Sequence, residues 1–163
     1  MREIVESLEK EYRRYKSLAE RTFEQLTADQ LTQVPAVESN SVAVVAWHVA
    51  GNLKSRFTEF LTTDGEKPWR DRESEFDARH VGHDELRRKW EDGWSALFAA
   101  LGELTDADLG KRVAIRGESL AVHAALHRSL AHTANHVGQI VLLGKMLREA
   151  EWRSLSIPRQ RRS

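Results

Sequence analysis

Residues 118–149 read ESLAVHAALHRSLAHTANHVGQIVLLGKMLRE, and this stretch is the most informative part of the sequence. Its apolar residues recur at the three- and four-residue steps of an amphipathic helix. A helix that begins near Glu118 or Ser119 and runs unbroken to about Glu149 would be roughly 45 Å long, at about 1.5 Å per residue. One side of it faces a predicted core, and a second apolar side motivates a homodimer hypothesis. The second side comprises Leu130, Ala134, Val137 and Val141.

This predicted helix contains four histidines, in two pairs. At about 100° per residue, His132 and His136 lie about 40° apart on one face, a spacing that can chelate one ion. That face is the core-facing one, whereas His123 and His127 point roughly the opposite way. A buried imidazole costs about 1–3 kcal/mol for each polar group left unpaired, so a shared metal would be favourable. Hydrogen-bonded core histidines would also satisfy the pattern, and the spacing alone leaves both interpretations open.

Three further helices are predicted upstream by the same periodicity. The first spans about residues 2–26, the second runs from a cap among Ser39, Asn40 and Ser41 to about Thr62, and the third spans about residues 83–104. The segment from Glu66 to about Gly82 holds Pro68, Trp69 and dense charge with little period, which predicts a long crossover connection. Residues 111–116 could form a short strand or an extended loop, but one short strand cannot form a sheet alone.

These elements predict an all-α fold, a four-helix bundle with a long crossover connection between the second and third helices. We expect residues 1–150 to form the bundle and residues 151–163, which contain four arginines, to form a C-terminal tail. With 163 residues, of which 40% are hydrophobic, the chain is long enough for one domain with one core.

Charge and composition exclude several classes of function. Lys and Arg together number 25, as do Asp and Glu, so no net field attracts nucleic acid or an acidic bilayer. A small molecule or a second copy of the chain is the expected partner. Cysteine is absent, so any metal must be bound through nitrogen and oxygen. No run approaches the roughly 20 apolar residues of a membrane span, which predicts a cytoplasmic protein.

The second predicted helix contains one further histidine, His48. It shares a small and polar face with Asn52 and Ser55, among others. Two interpretations are open at this point. His48 either lies on a solvent-facing surface, or it supplies a third ligand with Asn52 and Ser55 lining a pocket beside it.

The segment His132-Thr-Ala-Asn-His136-Val-Gly-Gln-Ile140, together with Ala46-Trp-His48-Val-Ala-Gly-Asn52, resembles the DinB/YfiT-like superfamily of metal-binding four-helix proteins. The resemblance covers nearly the whole chain and is strongest to an uncharacterised bacterial subgroup. It implies that His48, His132 and His136 hold one divalent metal ion, and members have been associated with zinc, nickel or iron. Some characterised relatives are transferases that use a low-molecular-weight thiol.

These observations lead to two functional hypotheses. The first is a mononuclear metal-dependent transferase in which the three histidines activate a small-molecule thiol or a water. Because the chain has no cysteine, the thiol would arrive on a cosubstrate. The second is a non-catalytic, metal-stabilised and possibly dimeric binding protein.

A zincin-like hydrolase is disfavoured, because Thr133 and not glutamate follows His132. A carboxylate di-metal centre is disfavoured because the last predicted helix, near residues 118–149, lacks Glu-x-x-His pairs.

Four other residues are candidates to orient ligands or substrate. Arg128 and Gln139 fall within about 40° of the histidine face, and Asn52 and Ser55 flank His48. Arg128 has an alternative structural role, as the partner of a carboxylate such as Glu59. Trp69, in the crossover, is the candidate pocket lid.

Overall fold

The computed structural model describes residues 1–157, and four long helices account for most of them. They are α1 (Glu3–Phe23), α3 (Val42–Phe57), α4 (His83–Glu103) and α5 (Val122–Arg148), with a short α2 (Ala28–Thr32) after the first. Helix α3 packs against α4 and α5, and α1 packs against α5 and α4. The predicted all-α bundle is confirmed. None of the described helices is long and apolar enough to cross a membrane.

The connection after α1 differs from the prediction. Helix α1 ends at Phe23, and α2 begins after a capping box in which Thr27 Oγ1 accepts from the backbone NH of Gln30 and the Gln30 side chain accepts from that of Thr27. Helix α3 is also shorter than predicted. It ends at Phe57, because Thr58 adopts an extended backbone and Glu59 has a φ of 51°. The crossover therefore begins about five residues earlier than the periodicity indicates.

The residues that were predicted to begin the last helix form one strand of a β-hairpin instead. Strand β1 (Arg112–Ile115) pairs antiparallel with β2 (Glu118–Ala121), so α5 begins at Val122 and not near Glu118. The two turn residues, Arg116 and Gly117, have φ of 54° and 75°, as a tight primed turn requires. The carboxylate of Asp64 accepts hydrogen bonds from both their backbone NH groups, at 2.8 and 2.7 Å, which holds the turn against the crossover.

The core lies between the four long helices. Trp90 and Trp94 of α4 are almost fully buried in it. Gly93 brings α4 into backbone contact with α3, because a Cβ there would lie 2.6 Å from Cα of Ala50. The second apolar side of α5 also faces this core: Val137 is fully buried, and Leu130 and Val141 pack against the cluster. The pattern that motivated a homodimer is thus explained within one chain.

The predicted tail is described only in part. Its first residues contact the segment between α1 and α2, because the Gln25 side chain exchanges hydrogen bonds with the backbone of Arg153, at 2.8 and 3.0 Å. The other three arginines of the predicted tail lie outside the described residues, and the domain boundary at residue 150 stays a prediction.

Candidate metal centre

Three histidines from two helices converge at the side of the bundle where α3 faces α5. His48 lies in the middle of α3, and His132 and His136 lie one turn apart on α5. One ring nitrogen from each lies within 4.8 Å of the others, and Nε2 of His48 is 3.2 Å from Nε2 of His132. The structure thus brings together the three residues that the sequence singled out.

Glu75 orients the ring of His48. Its Oε2 lies 2.8 Å from Nδ1 of His48, and the two side chains are only 6% and 5% exposed. Burial alone would raise the pKa of Glu75, but hydrogen bonds from Arg70 and His48 outweigh burial and hold this pKa below its usual value. The ionised carboxylate can only accept, so Nδ1 of His48 carries the proton. Nε2 faces the other two histidines, and it carries the lone pair when the ring is neutral.

The crossover delivers Glu75 through a short 3-10 turn, Glu73–Phe76. Arg70 grips the carboxylate in bidentate fashion, with Nε donating to Oε1 and Nη2 to Oε2, each at 2.8 Å. Gly51 leaves the space that Glu75 fills, because a Cβ at that position would overlap Oε1 and lie 2.8 Å from Cδ. The Phe76 ring covers His48, with 4.7 Å between ring centroids.

The two histidines of α5 are held in the neutral form. Burial, with smaller contributions from His136, His48 and nearby arginines, lowers the pKa of His132 to about 3. Burial and the His48 ring also lower the pKa of His136, and Gln139 offsets part of that shift. Neutral imidazoles keep lone pairs available at physiological pH, which is the protonation state that a metal ligand needs.

The donor set fits one divalent ion. Tetrahedral zinc with Zn–N bonds of about 2.0–2.1 Å places its ligand nitrogens about 3.3 Å apart. The His48–His132 pair is 3.2 Å apart, and all three nitrogens lie within 4.8 Å of one another. The carboxylate behind His48 matches the hydrogen-bonded acceptor that metal-ligating histidines generally have. Nδ1 atoms of His132 and His136 are buried without a hydrogen-bond partner in the described chain, so these rings are not explained as a hydrogen-bonded core pair.

A cavity of about 210 Å³ opens beside His48 and His132. Its walls come from α3, the crossover, the hairpin and α5. The polar lining residues are His48, Asn52, Arg56, Arg70, Arg72, Arg116, Arg128, Ser129 and His132, and the apolar ones are Phe57, Phe60, Ile115 and Ala125. A small molecule in this cavity would lie next to His48 and His132.

The four predicted orienting residues lie in different places. Asn52 and Arg128 line the cavity. Ser55 is fully buried and donates to the carbonyl of Gly65 at 2.6 Å, so its hydroxyl holds the crossover against α3 and does not line the cavity. Gln139 is exposed beside His136.

Two other predictions about side chains are wrong in detail. Arg128 contacts Glu118 at 3.4 Å, and not Glu59. The crossover covers His48 with Phe76, whereas Trp69 is half exposed and lies near Lys54.

Sequence reasoning missed Glu75, Arg70 and the role of Gly51. The crossover is rich in charge throughout and has no helical period, so nothing in its sequence distinguishes Glu75 from its acidic neighbours. Only the folded position of the 3-10 turn against Gly51 selects it.

Comparison with known proteins agrees with this architecture. A DinB-like protein from Bacillus cereus superposes with a TM-score of 0.65 at 20% identity, covering 86% of this chain and 91% of its own. A conserved protein from Enterococcus faecalis superposes with a TM-score of 0.69 at 16% identity, covering 90% and 98%. The fold is therefore DinB-like and compatible with metal binding by the three histidines.

None of the curated proteins matches this sequence. One family model does, and it extends over residues 1–161, which is almost the entire chain. The chain therefore belongs to the family described as "Protein of unknown function (DUF1572)".

Proposed function

We propose that this protein is a mononuclear metal-dependent transferase in which His48, His132 and His136 bind one divalent ion and a small-molecule thiol is the nucleophile. The observation that carries the proposal is the convergence of three imidazoles, two of which, His48 and His132, line a cavity. A divalent ion with three imidazole ligands and an open position lowers the pKa of a thiol or water that binds to it. Zinc, nickel and iron all accept imidazole ligands.

The residues of the chain divide this task. His48, fixed by Glu75, presents Nε2 to the centre, while α5 presents His132 and His136. The cavity beside them leaves room for a ligand. The apolar side chains of Phe57, Phe60 and Ile115 exclude water from part of its wall.

The lining of the cavity favours a thiol over water as the nucleophile. No carboxylate is among its described lining residues, so no acidic side chain stands ready as a general base for water. A thiol ionises far more readily than water and needs no such base. The sulfur must belong to a cosubstrate, because the chain contains no cysteine.

The second candidate is a binding protein without turnover, in which the same ion ties α3 to α5. The observation in its favour is that the three ligands join two helices across the core, as a structural metal does. A homodimer is also proposed. Its interface would include Leu142 and Met146 of α5, which are 58% and 56% exposed.

Elemental analysis of tag-free protein, beside His132→Ala, tests the metal site. We expect about one equivalent of metal in wild type and a loss of nearly all of it in the variant, with helicity by circular dichroism unchanged. His127→Ala is the matched control, because His127 is exposed on the same helix and outside the cluster. Wild type that takes up no metal after exposure to zinc, nickel and iron would refute the site.

Cobalt-substituted protein separates the two candidates. If the ion has an exchangeable position, a small thiol added to the cobalt form produces a thiolate-to-metal charge-transfer band that His132→Ala lacks. Turnover of a chromogenic electrophile with a panel of small thiols should follow the same pattern. A bound ion that gives neither band nor turnover would contradict the transferase and support the binding protein.

A further inference from the structure

The wall of the cavity carries an unusual number of cations. Five arginines line it, and no described carboxylate does. They come from four parts of the chain: Arg56 from α3, Arg70 and Arg72 from the crossover, Arg116 from the hairpin turn and Arg128 from α5. Because these residues are distant in sequence, the folding of the crossover and the hairpin against the bundle creates the cluster.

Arg72 and Arg128 each pair with a separate carboxylate, Glu73 and Glu118, whereas the acidic partners of the other three arginines are shared. One carboxylate oxygen, Oε2 of Glu66, serves two guanidinium groups, with Nη1 of Arg56 at 3.1 Å and Nε of Arg116 at 2.8 Å. Glu75 is likewise shared between Arg70 and His48. At the Glu66 end of the cavity, two guanidinium groups therefore share one carboxylate oxygen, and the nearby Asp64 carboxylate accepts from backbone NH groups instead of from a guanidinium.

Arg70 has a donor without a partner. Its side chain is only 3% exposed, and Nε and Nη2 both bind Glu75. The third nitrogen, Nη1, is buried and has no hydrogen-bond partner in the described chain. An unsatisfied buried donor on a charged group lowers the stability of the fold, so a bound ligand that accepts from this atom would be favourable.

The neighbouring charges repel each other. Burial lowers the pKa of Arg56, Glu66 opposes that shift, and the charges of Arg70 and Arg116 lower the pKa further. These three guanidinium groups are therefore close enough to interact. An anion among them would relieve the repulsion and satisfy Nη1 of Arg70, and guanidinium groups bind carboxylate and phosphate oxygens in bidentate geometry.

We propose that Arg56, Arg70 and Arg116 form an anion subsite that binds a carboxylate or phosphate group of the substrate. This assignment of substrate class rests on the proposed function for its reacting end, which lies toward the three histidines. The subsite itself does not depend on a bound ion. The substrate is then an acidic small molecule, with its charged group at the arginines and its thiol or electrophilic atom at His48 and His132.

Binding of two probe anions tests the subsite directly. Isothermal titration calorimetry would use inorganic phosphate and succinate at matched ionic strength, with the full-length protein as purified. The tighter probe identifies the class of acidic group. We expect binding to persist in His132→Ala, since the arginines and not the ion hold the anion.

Two variants remove different parts of the subsite. Arg70→Lys keeps a charge beside Glu75 but loses the free Nη1, and Arg116→Gln leaves the Arg70–Glu75 pair intact while freeing Glu66 to neutralise Arg56. We expect each to weaken the tighter anion by about tenfold or more, the range for one charged hydrogen bond. Arg88→Gln, an exposed arginine outside the cavity, is the matched control and should bind like wild type.

Several results would overturn the subsite. They are the absence of binding of both anions to wild type, wild-type affinity in either Arg70→Lys or Arg116→Gln, and loss of binding in His132→Ala. The last result would place the anion on the metal, leaving the proposed metal site intact while removing the arginine subsite. Metal content, which measures the proposed site separately, keeps the two failures distinguishable.

Discussion

Gly51 provides the sharpest test of how the centre is held. An alanine there places a methyl carbon 2.8 Å from Cδ of Glu75, well inside van der Waals contact, and closer still to Oε1. The Glu75 side chain cannot move away without loosening its bonds to Arg70 and His48, all of which are 2.8 Å long. The predicted result of Gly51→Ala is a His48 ring that has lost its hydrogen-bond acceptor.

The magnitude follows from two opposing effects. A hydrogen bond to a charged group contributes about 1.5–3 kcal/mol, whereas alanine favours a helix interior over glycine by about 1 kcal/mol. We therefore expect the metal-free variant to lose about 0.5–2 kcal/mol of unfolding free energy. Loss of the acceptor behind a metal-ligating histidine costs about 10- to 100-fold in metal affinity, and we expect that loss of zinc affinity in Gly51→Ala.

Competition with a chromophoric chelator measures the zinc affinity, and urea denaturation measures the unfolding free energy. Gly102→Ala is the matched control. Gly102 lies in α4 with no atom within 4 Å of an added Cβ, so this change should leave zinc affinity unaltered and raise stability by up to about 1 kcal/mol. Wild-type zinc affinity in Gly51→Ala would refute the idea that Glu75 supports the metal centre through His48.

Three further predictions concern the fold and its pH dependence. Gly93→Ala should lower the unfolding free energy in urea by about 1–3 kcal/mol, because the added Cβ meets the backbone of Ala50; unchanged stability would contradict this close approach. Asp64→Ala should speed amide hydrogen exchange at Arg116 and Gly117, and protection equal to wild type would show that the turn does not need it. Metal-free protein should keep its full stability above about pH 6.5 and lose stability as pH falls toward 3, because the folded pKa of His132 is about 3 and an unfolded histidine binds protons from about 6.5; pH-independent unfolding in chelator would contradict it.

Periodicity was sufficient for the four long helices, because each buries a stripe of side chains that is local in sequence. The histidines of α5 were recognisable for the same reason, since His132 and His136 are one turn apart on the core-facing side. His48 could be linked to them only through the resemblance to a known superfamily. No local rule states that the middle of α3 faces that part of α5.

The errors have non-local causes. Residues Glu118–Ala121 continue the apolar spacing of α5, yet they form a strand because β1 pairs with them and Asp64 holds the turn from a distant segment. Helix α2 is different, because its Thr27–Gln30 capping box is a local sequence signal that apolar periodicity does not detect. Glu75 had no such signal, since its position depends on space left by Gly51.

The centre thus has two parts with different structural origins. The candidate metal ligands lie on helices packed through the core, where small displacements are costly. Most of the arginines that line the cavity lie on the crossover and the hairpin, which attach to the bundle through contacts such as Ser55 to Gly65 and Asp64 to the turn. Connecting segments tolerate sequence change better than a packed core does. Substitutions in the crossover and hairpin should therefore change which acidic ligand binds while leaving the metal affinity of the three histidines intact, provided that Glu75 and Arg70 are kept.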